Sequence, residues 1–387
     1  MENKIQTSIV VFHELRCRAG GTTDGRTIVV WPSGNGIPLP ASGPNIPVWR
    51  ITEIIRFPSS AWNGRCHDRW RPADTSWRVR TFVVMSLFDQ LAALSTEGIH
   101  PTTREIDLAS SREIVEMINR EDATVAAAVA LELDHVAAAV DHVAAAFRRG
   151  GRLIYVGAGT SGRLGIVDAS ECPPTYGVSP DMVQGIIAGG PGAVFRSVEG
   201  AEDSEEEGAG ALRAIDLQPS DVVCGIAASG RTPFVVGAVR AAHEAGCRTV
   251  FVSTNDRSTV GQFVPFVDVL ICPHVGPEVV AGSTRMKSGT AQKMVLNMIT
   301  TAAMIRIGKT YGNVMVDLQL TNRKLQERAR RIVMTIAGVT YEEAESLIRE
   351  ADGHVKTALI MGLLHCSKDE ARERLERADG FVRRSLE

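Results

Sequence analysis

From residue 153 onward, short apolar runs alternate with longer segments whose apolar residues recur at helical spacing. The runs are rich in valine and isoleucine, which is typical of strands buried on both faces. The pattern predicts five strands, at residues 153–156, 183–188, 222–227, 249–252 and 267–272. Helices are predicted around residues 163–170, 192–214, 233–245 and 258–263, and a long methionine-rich helix at 284–307. This alternation predicts an α/β fold whose parallel sheet is covered by helices on both faces.

A helical lead-in is predicted before the first strand. Apolar residues have helical spacing over residues 106–118 and 124–149, and the second segment is expected to form one packed helix or a helix pair. Its acidic and histidine side chains exclude a membrane-spanning helix, and no apolar run in the chain reaches 18 residues.

A small helical module is predicted at the end of the chain. Residues 330–387 contain three or four short amphipathic segments, two of which start at TYEE (340–343) and SKDE (367–370). In both, a hydroxyl N-cap precedes an acidic first turn. We therefore expect a lead-in plus sheet domain over residues 85–330 and a helical module over residues 331–387.

The first 84 residues differ from the rest of the chain in amino-acid composition and periodicity. They contain all five tryptophans and 11 Lys or Arg against six Asp or Glu, and they show little helical periodicity. From Met85 the composition changes to Ala, Leu and acidic residues at helical spacing. Three explanations remain open: a small basic module that binds a partner, a poorly ordered extension, or a coding sequence whose true start is Met85. We favour the last.

Composition narrows the classes of function. The chain has 387 residues, 44% of them hydrophobic, which is a globular composition. A net charge of −3 argues against a general nucleic-acid or polyanion binder. No secretory signal is recognisable at the N-terminus. The seven cysteines are scattered without a CxxC pair, which predicts a reduced, cytoplasmic protein with buried free thiols and no structural zinc.

A glycine-rich loop follows the first predicted strand. GAGTSGR at 157–163 matches the GxGxxG dinucleotide pattern, but the second strand ends without the acidic residue that would hold a ribose. The hydroxyls of Thr160 and Ser161, with bare amides at Gly159 and Gly162, suit a terminal phosphate at a helix N-terminus better.

A similar loop follows the third predicted strand. Ser229, Gly230, Arg231 and Thr232 precede a proline that is well placed to open a helix. One such loop is adequately explained by an ordinary capped turn. Two of them after two strands of one sheet favour a phosphate site, because ligands of open parallel sheets bind beyond the carboxyl ends of the strands.

A third polar segment leads into the long methionine-rich helix. Ser283 and Thr284 are expected to cap this helix, and Arg285 and Lys287 are equally consistent with facing an anion or solvent.

Two acidic motifs supply candidate carboxylates. In DASECPP (168–174), the two prolines are expected to end the helix, which places Glu171 where the negative end of the dipole would raise its pKa and suit a general acid. Taken alone, Glu171 is better explained as a solvated surface residue. EGAEDSEEE (199–207) resembles a solvated helix start, and nothing in it distinguishes Glu202 from its neighbours. Without histidine or cysteine clusters, no metal site is predicted.

Four segments closely resemble the bacterial N-acetylmuramic acid 6-phosphate etherases: GAGTSGRLGIVDASECPPTYGV, VEGAEDSEEEG, GIAASGRTPFV and STRMKSGTAQKMVLNM. The resemblance runs from about Met85 to the C-terminus, and residues 1–84 have no counterpart. It implies a SIS (sugar isomerase) fold with a five-stranded parallel sheet, a small C-terminal helical (UBA-like) module, and a homodimer with its active site near the subunit interface. The implied reaction cleaves the lactyl ether of N-acetylmuramate 6-phosphate to N-acetylglucosamine 6-phosphate and D-lactate, in the cytoplasmic recycling of peptidoglycan amino sugars.

The resemblance also implies roles for individual residues. Glu202 would remove the C2 proton of the open-chain sugar, and Glu171 would protonate the departing lactate oxygen and then activate water, without any cofactor. Phosphate binding is assigned to Gly159, Thr160, Ser161, Gly162, Ser229, Gly230, Arg231 and Thr232, with Ser283 and Lys287 as further candidates. The alternatives on the same fold are a sugar-phosphate-binding regulatory protein and an aldose–ketose phosphate isomerase.

Overall fold

The computed structural model describes residues 94–320 and 322–387, and at its centre lies a five-stranded parallel sheet in the order β2-β1-β3-β4-β5. The strands are β1 (Leu153–Gly157), β2 (Val183–Ile187), β3 (Val222–Ile226), β4 (Arg248–Val252) and β5 (Val269–Ile271). The predicted α/β sheet is therefore confirmed, although β5 is shorter than the apolar run that predicted it. The expectations for residues 1–84 lie outside the described residues.

Helices cover both faces of the sheet, as predicted. Within the sheet domain they are α1 (Ser111–Asp122), α2 (Val125–Ala130), α3 (Leu133–Arg148), α4 (Gly159–Tyr176), α5 (Glu205–Arg213), α6 (Pro233–Glu244), α7 (Arg257–Phe263) and α8 (Lys287–Arg306), with 3-10 turns at Ser95–Glu97, Ile106–Leu108 and Pro191–Val194. Leu153 and Tyr155 pack with α3, α4 and α8, whereas Ile154 and Val156 pack with α5, α6 and α7. Burial on both faces explains why the strands are apolar throughout.

The Ala-rich lead-in is a helix pair. It breaks between Ala130 and Leu133, so the single helix that its periodicity also allowed is not formed. In the described part of the chain, no single helix has the length and apolarity needed to cross a membrane, and the one combination that meets both criteria, α1–α2 with α3, is bent by 62°.

Two other predicted helices are shortened by side-chain caps. The helix expected at 106–118 begins only with α1, after a capping box between Ser110 and Glu113. The helix expected at 192–214 is restricted to α5, because the Ser204 side chain caps its start. The residues before Ser204 form a turn, and this turn carries Glu202.

α4 is longer than predicted, which corrects the expectation about Glu171. Pro173 and Pro174 do not end the helix. It continues to Tyr176 and closes at Gly177, which has a φ of +64° and donates its N–H to the Pro173 carbonyl at 2.9 Å. Each proline removes only its own N–H from the helix, and the left-handed glycine completes the C-terminal cap. Glu171 therefore lies inside the helix rather than at its end.

A helical module with its own apolar core follows the sheet domain. After a short ribbon of β6 (Thr310–Tyr311) and β7 (Val314–Met315), its helices are α9 (Arg323–Ala337), α10 (Tyr341–Glu350), α11 (Val355–Leu364), α12 (Lys368–Arg377) and α13 (Val382–Ser385). Thr340 and Ser367 cap α10 and α12, as predicted. Ile332 and Leu359 belong to the apolar cluster that holds these helices together.

A buried carboxylate joins the module to the sheet domain. Asp317 lies between the ammonium groups of Lys309 and Lys356, each 2.8 Å away. Burial opposes ionisation, but these charges, with the His354 ring 3.7 Å from the carboxylate, hold the pKa of Asp317 well below its usual range. Just beside it, a Cβ on Gly177 would lie 2.0 Å from the Asp317 carbonyl oxygen, so the C-terminus of α4 is packed tightly against this junction.

Candidate active site

Two helices at the carboxyl edge of the sheet begin without a side-chain cap. These are α4, with Ala158 at its N-cap, and α6, with Thr232 at its N-cap and Pro233 in its first turn. Side chains do cap α5 and α7, through Ser204 and Asp256. In α6, Pro233 has no N–H, and the N–H groups of the next three residues donate to the carbonyls of Glu202 and Thr232. The first-turn N–H groups of α4, at the positive end of its dipole, form a ready site for an anion.

The topology brings these two N-termini together. β1 and β3 are adjacent, and Gly157 at the end of β1 pairs with Ile226 at the end of β3. The chain runs from β1 outward to β2 and then returns past β1 to β3, so the crevice beyond these strands is the topological switch point, where open sheets bind ligands. Both loops that the sequence assigned to a phosphate therefore border one crevice.

The loop hydroxyls are held in different ways. Ser161 is buried, and its Oγ donates to Oε1 of Gln292 on α8 at 3.0 Å. Ser229 is half-buried, and its Oγ accepts from the Arg231 N–H at 3.4 Å, which leaves its own proton available to a ligand. Gly230 has a φ of +77°, and a Cβ there would lie 2.6 Å from Val260, so this loop requires glycine.

Two arginines beside the loops have other contacts. Arg163 donates to the carbonyls of Ala193 and Val194, both at 2.8 Å, and so anchors the turn after β2. The Arg231 guanidinium lies 6.0 Å from the Phe263 ring centroid, and its Nη1 is buried without a partner among the described residues. The structure thus places Arg231 against α7.

The expectation that Ser283 and Thr284 cap the long helix is wrong. α8 is capped by Glu278, which is fully buried and accepts from the N–H groups of Lys287 and Ser288 at 3.0 and 2.9 Å. A carboxylate that accepts from two buried N–H groups at the positive end of the helix dipole stabilises this terminus more than a single hydroxyl would.

Lys287 is neither free nor solvated. It is almost fully buried, and its Nζ lies 2.8 Å from Glu121, which also contacts His100 at 3.0 Å. The ammonium group and His100 together lower the pKa of Glu121. The sequence left open whether Lys287 faces an anion or solvent. It faces an anion, the carboxylate of Glu121 in the same chain.

Glu202 is positioned beside the second loop by its backbone. Its carbonyl oxygen accepts from the Phe234 N–H, in the first turn of α6, at 3.0 Å. A Cβ on Gly208 would lie 1.9 Å from the Phe234 carbonyl oxygen, so α5 and α6 pack closely and hold this turn. Partial desolvation, together with the charges of Asp203 and Glu199, raises the pKa of Glu202. A carboxylate with a raised pKa is a stronger base once it is deprotonated.

Glu171 is exposed on α4, one turn after a buried anchor. Asp168 accepts from Tyr155 Oη at 2.9 Å and from Asn297 Nδ2 at 2.6 Å, which ties α4 to β1 and α8. Burial raises the pKa of Asp168 in spite of these hydrogen bonds. Glu171 follows Gly159 by 12 positions, which corresponds to about 18 Å along a helix. Glu171 therefore lies about three turns of α4 beyond the first phosphate loop of its own chain.

The described residues contain no group of three His, Cys, Asp or Glu side chains that could hold a metal ion. The candidate chemistry of the site rests on the Glu202 carboxylate, the loop hydroxyls and the N-terminus of α4. Three residues that the sequence did not predict position the helices around the site through hydrogen bonds: Asp168, Glu278 and Gln292. Only Asp168 had a recognisable signal, since it lies one turn before Glu171 in the motif that the sequence singled out.

Comparisons with known proteins place these motifs in a family. The model of the glucokinase regulatory protein N-terminal SIS domain matches residues 135–243. Over 303 residues, the chain is 60% identical to an N-acetylmuramic acid 6-phosphate etherase of Salinibacter ruber, covering 78% of this chain and 96% of the relative. It is 53% identical over 297 residues to the etherase of Geobacillus thermodenitrificans, covering 77% of this chain and all of the relative.

Solved structures with similar architecture include two sugar-phosphate isomerases. A phosphosugar isomerase from Bacteroides fragilis is 20% identical with a TM-score of 0.38, covering 50% of this chain and 91% of that chain. A phosphoheptose isomerase from Neisseria gonorrhoeae is 16% identical with a TM-score of 0.37, covering 51% and 99%.

Proposed function

Since this chain belongs to the N-acetylmuramic acid 6-phosphate etherase family, we propose that it acts by elimination and water addition, with Glu202 and Glu171 as its acid–base pair. The reaction cleaves the D-lactyl ether of N-acetylmuramic acid 6-phosphate and yields N-acetylglucosamine 6-phosphate and D-lactate. The observation that carries the mechanism is the uncapped N-terminus of α4 at the switch point, beside a second loop whose following helix, α6, is hydrogen-bonded to the Glu202 turn.

The phosphate is the anchor of the substrate and does not react. The first turn of α4 offers its N–H groups, and the two loops offer the hydroxyls of Thr160, Ser161, Ser229 and Thr232. Binding energy from this remote group holds the reacting carbons in place, so that the chemical step is effectively intramolecular.

Glu202 is the base. In the open-chain sugar, the C2 proton is acidified by the neighbouring C1 aldehyde. Glu202 takes this proton, electrons move into the C2–C3 bond, and the C3–oxygen bond to lactate breaks. Because the second loop and Glu202 are both fixed to the start of α6, a substrate held there by its phosphate lies within reach of this carboxylate.

Glu171 acts on the ether oxygen from the partner subunit of a homodimer. Six bonds separate the phosphorus from the ether oxygen, so these atoms are less than about 9 Å apart at roughly 1.5 Å per bond. The rise of about 18 Å from Gly159 to Glu171 along α4 is about twice this span, which favours a Glu171 of the partner subunit at the ether oxygen.

In this arrangement, Glu171 protonates the departing lactate oxygen. It then deprotonates a water molecule that adds to C3 of the unsaturated aldehyde, and the proton held by Glu202 returns to C2. The cycle restores both carboxyl groups to their starting protonation states, and it requires no cofactor.

We place the enzyme in the cytoplasm. The five cysteines within the described residues are free. Burial raises the pKa of Cys172 and of Cys272 to about 12, so these thiols are unreactive packing groups. Free, inert thiols are typical of proteins that fold in a reducing compartment.

The function is tested by incubating the full chain with N-acetylmuramate 6-phosphate and measuring D-lactate. We expect stoichiometric lactate and N-acetylglucosamine 6-phosphate, and far slower turnover of unphosphorylated N-acetylmuramic acid, which lacks the anchor. Binding of the sugar phosphate without lactate would favour a regulatory protein instead, and a ketose product would favour an isomerase.

Ser229→Ala is expected to raise KM by roughly 10-fold while changing kcat little, because a hydrogen bond to the unreacting phosphate is made equally in the ground and transition states. Steady-state kinetics on the phosphorylated sugar measure this. Ser258→Ala, which removes a hydroxyl hydrogen-bonded to Asp256 at the start of α7, is the control at another helix start. An unchanged KM for Ser229→Ala would remove this hydroxyl from the phosphate site.

A further inference from the structure

The first turns of α8 contain two buried polar side chains whose hydrogen bonding is incomplete. Ser288 and Gln292 are both fully buried and lie one turn apart on the same face of the helix. Within the described residues, Ser288 Oγ and Gln292 Nε2 have no hydrogen-bond partner. Buried donors without acceptors are rare in folded proteins, and each requires an explanation.

These two side chains border the proposed phosphate site. Gln292 contacts Ser161 in the first turn of α4 at 3.0 Å. A Cβ built on Gly289 would lie 3.6 Å from Thr160 Cγ2, so the first turns of the two helices are in contact. The N–H groups of Lys287 and Ser288 are already occupied by Glu278, so α8 contributes side chains to this wall rather than its own N-terminus.

The direction of the Ser161 hydrogen bond conflicts with phosphate binding. Ser161 gives its single proton to Gln292 Oε1, so toward the crevice its oxygen offers only lone pairs. A phosphate dianion is acceptor-rich and needs donors. The hydroxyl can donate to the phosphate only if Gln292 supplies a donor to Ser161 in return.

We propose that Gln292 is a positioning residue whose amide turns over when the phosphate binds. Nε2 then donates to Ser161 Oγ, and the Ser161 proton is directed to the phosphate. Oε1 then takes the position that Nε2 leaves. The Ser288 side chain, one turn earlier on the same face, does not reach that position in the present arrangement, and it donates its hydroxyl to Oε1 after rotating about χ1. This chain of donors satisfies both unpartnered groups and rests on the phosphate-anchoring role proposed above.

The test compares Gln292→Met, Ser161→Ala and the double variant. Each single variant is expected to weaken binding of the phosphorylated sugar about 10-fold, seen as a higher KM with kcat within about threefold, as for loss of one hydrogen bond to a charged group. Because Gln292 acts through Ser161, the double variant is expected to be no weaker than Ser161→Ala alone. Additive losses, or an unchanged KM in Gln292→Met, would overturn the proposal.

Inorganic phosphate provides a second readout that does not need turnover. Its dissociation constant, measured by calorimetry, is expected to follow the same non-additive pattern, even if the lactate assay gave no product. Failure of the proposed reaction and failure of the Gln292 role are therefore distinguishable.

Lys293→Met is the matched control, since it introduces the same side chain at the next, exposed position of α8. If Gln292→Met does not fold, Gln292→Glu replaces it. This isosteric side chain accepts but does not donate when ionised, so it is expected to weaken phosphate binding more than Ser161→Ala does. Phosphate binding at the wild-type level in Gln292→Glu would contradict the donor chain.

Discussion

Glu171→Gln is expected to stop D-lactate release while sparing exchange of the C2 proton with deuterated water. The amide cannot protonate the departing lactate oxygen, but removal of the C2 proton belongs to Glu202. Loss of a positioned acid lowers the rate roughly 10²–10⁴-fold. Lactate release and deuterium incorporation at C2, followed on the same sample by NMR, separate the two steps.

Glu202→Gln is expected to suppress both signals, because without the base no C2 carbanion forms. The wild-type enzyme should also lose kcat/KM toward acid pH with an apparent pKa above that of an ordinary glutamate. The reason is that desolvation and neighbouring charges raise the pKa of Glu202, which must be deprotonated to act.

Glu206→Gln is the control for this pair, since Glu206 is an exposed carboxylate on α5 that pairs with Arg213. It should leave both signals unchanged. Exchange that disappears in Glu171→Gln, or persists at the wild-type rate in Glu202→Gln, would reverse or remove the assigned roles.

The sheet was predictable because buried parallel strands are apolar over their whole length, and no later contact changes that pattern. The loops were predictable for a related reason. Because β1 and β3 are adjacent and parallel, the loops that follow them lie side by side. The glycines and hydroxyls of these loops, such as those of Ser161 and Ser229, therefore border one crevice. A residue's position just after a strand is therefore sufficient to predict that it borders the ligand crevice.

Features decided by distant side chains were not predictable. Glu278 caps α8 from nine positions before Lys287, with no local motif to announce it. Gln292 is 131 positions from Ser161, and only the packing of α8 on α4 brings the two together. Glu171 shows the converse. Its motif was recognisable, but its separation from the first phosphate loop follows from the start of α4 at Gly159, which the sequence placed only near Arg163.

This separation makes a strong prediction about mixed dimers. A heterodimer of one Glu171→Gln chain and one Glu202→Gln chain is expected to recover about half of the wild-type activity, although each homodimer is inactive. In a two-fold dimer whose sites take Glu202 from one subunit and Glu171 from the other, one site of the heterodimer keeps both glutamates and the other keeps neither. The chains would carry different affinity tags, and sequential purification would isolate the heterodimer before the lactate assay.

The reciprocal heterodimer is the control that decides between the two arrangements. Wild type paired with a chain carrying both substitutions leaves every shared site with one glutamate missing, so it should be inactive. If each site used both glutamates of a single chain, the results would exchange: this second heterodimer would keep about half of the activity and the first would have none. Because the two heterodimers contain the same four glutamate positions with the same two substitutions, a difference in stability cannot produce that pattern. Activity in the first alone therefore places Glu171 in the partner's site.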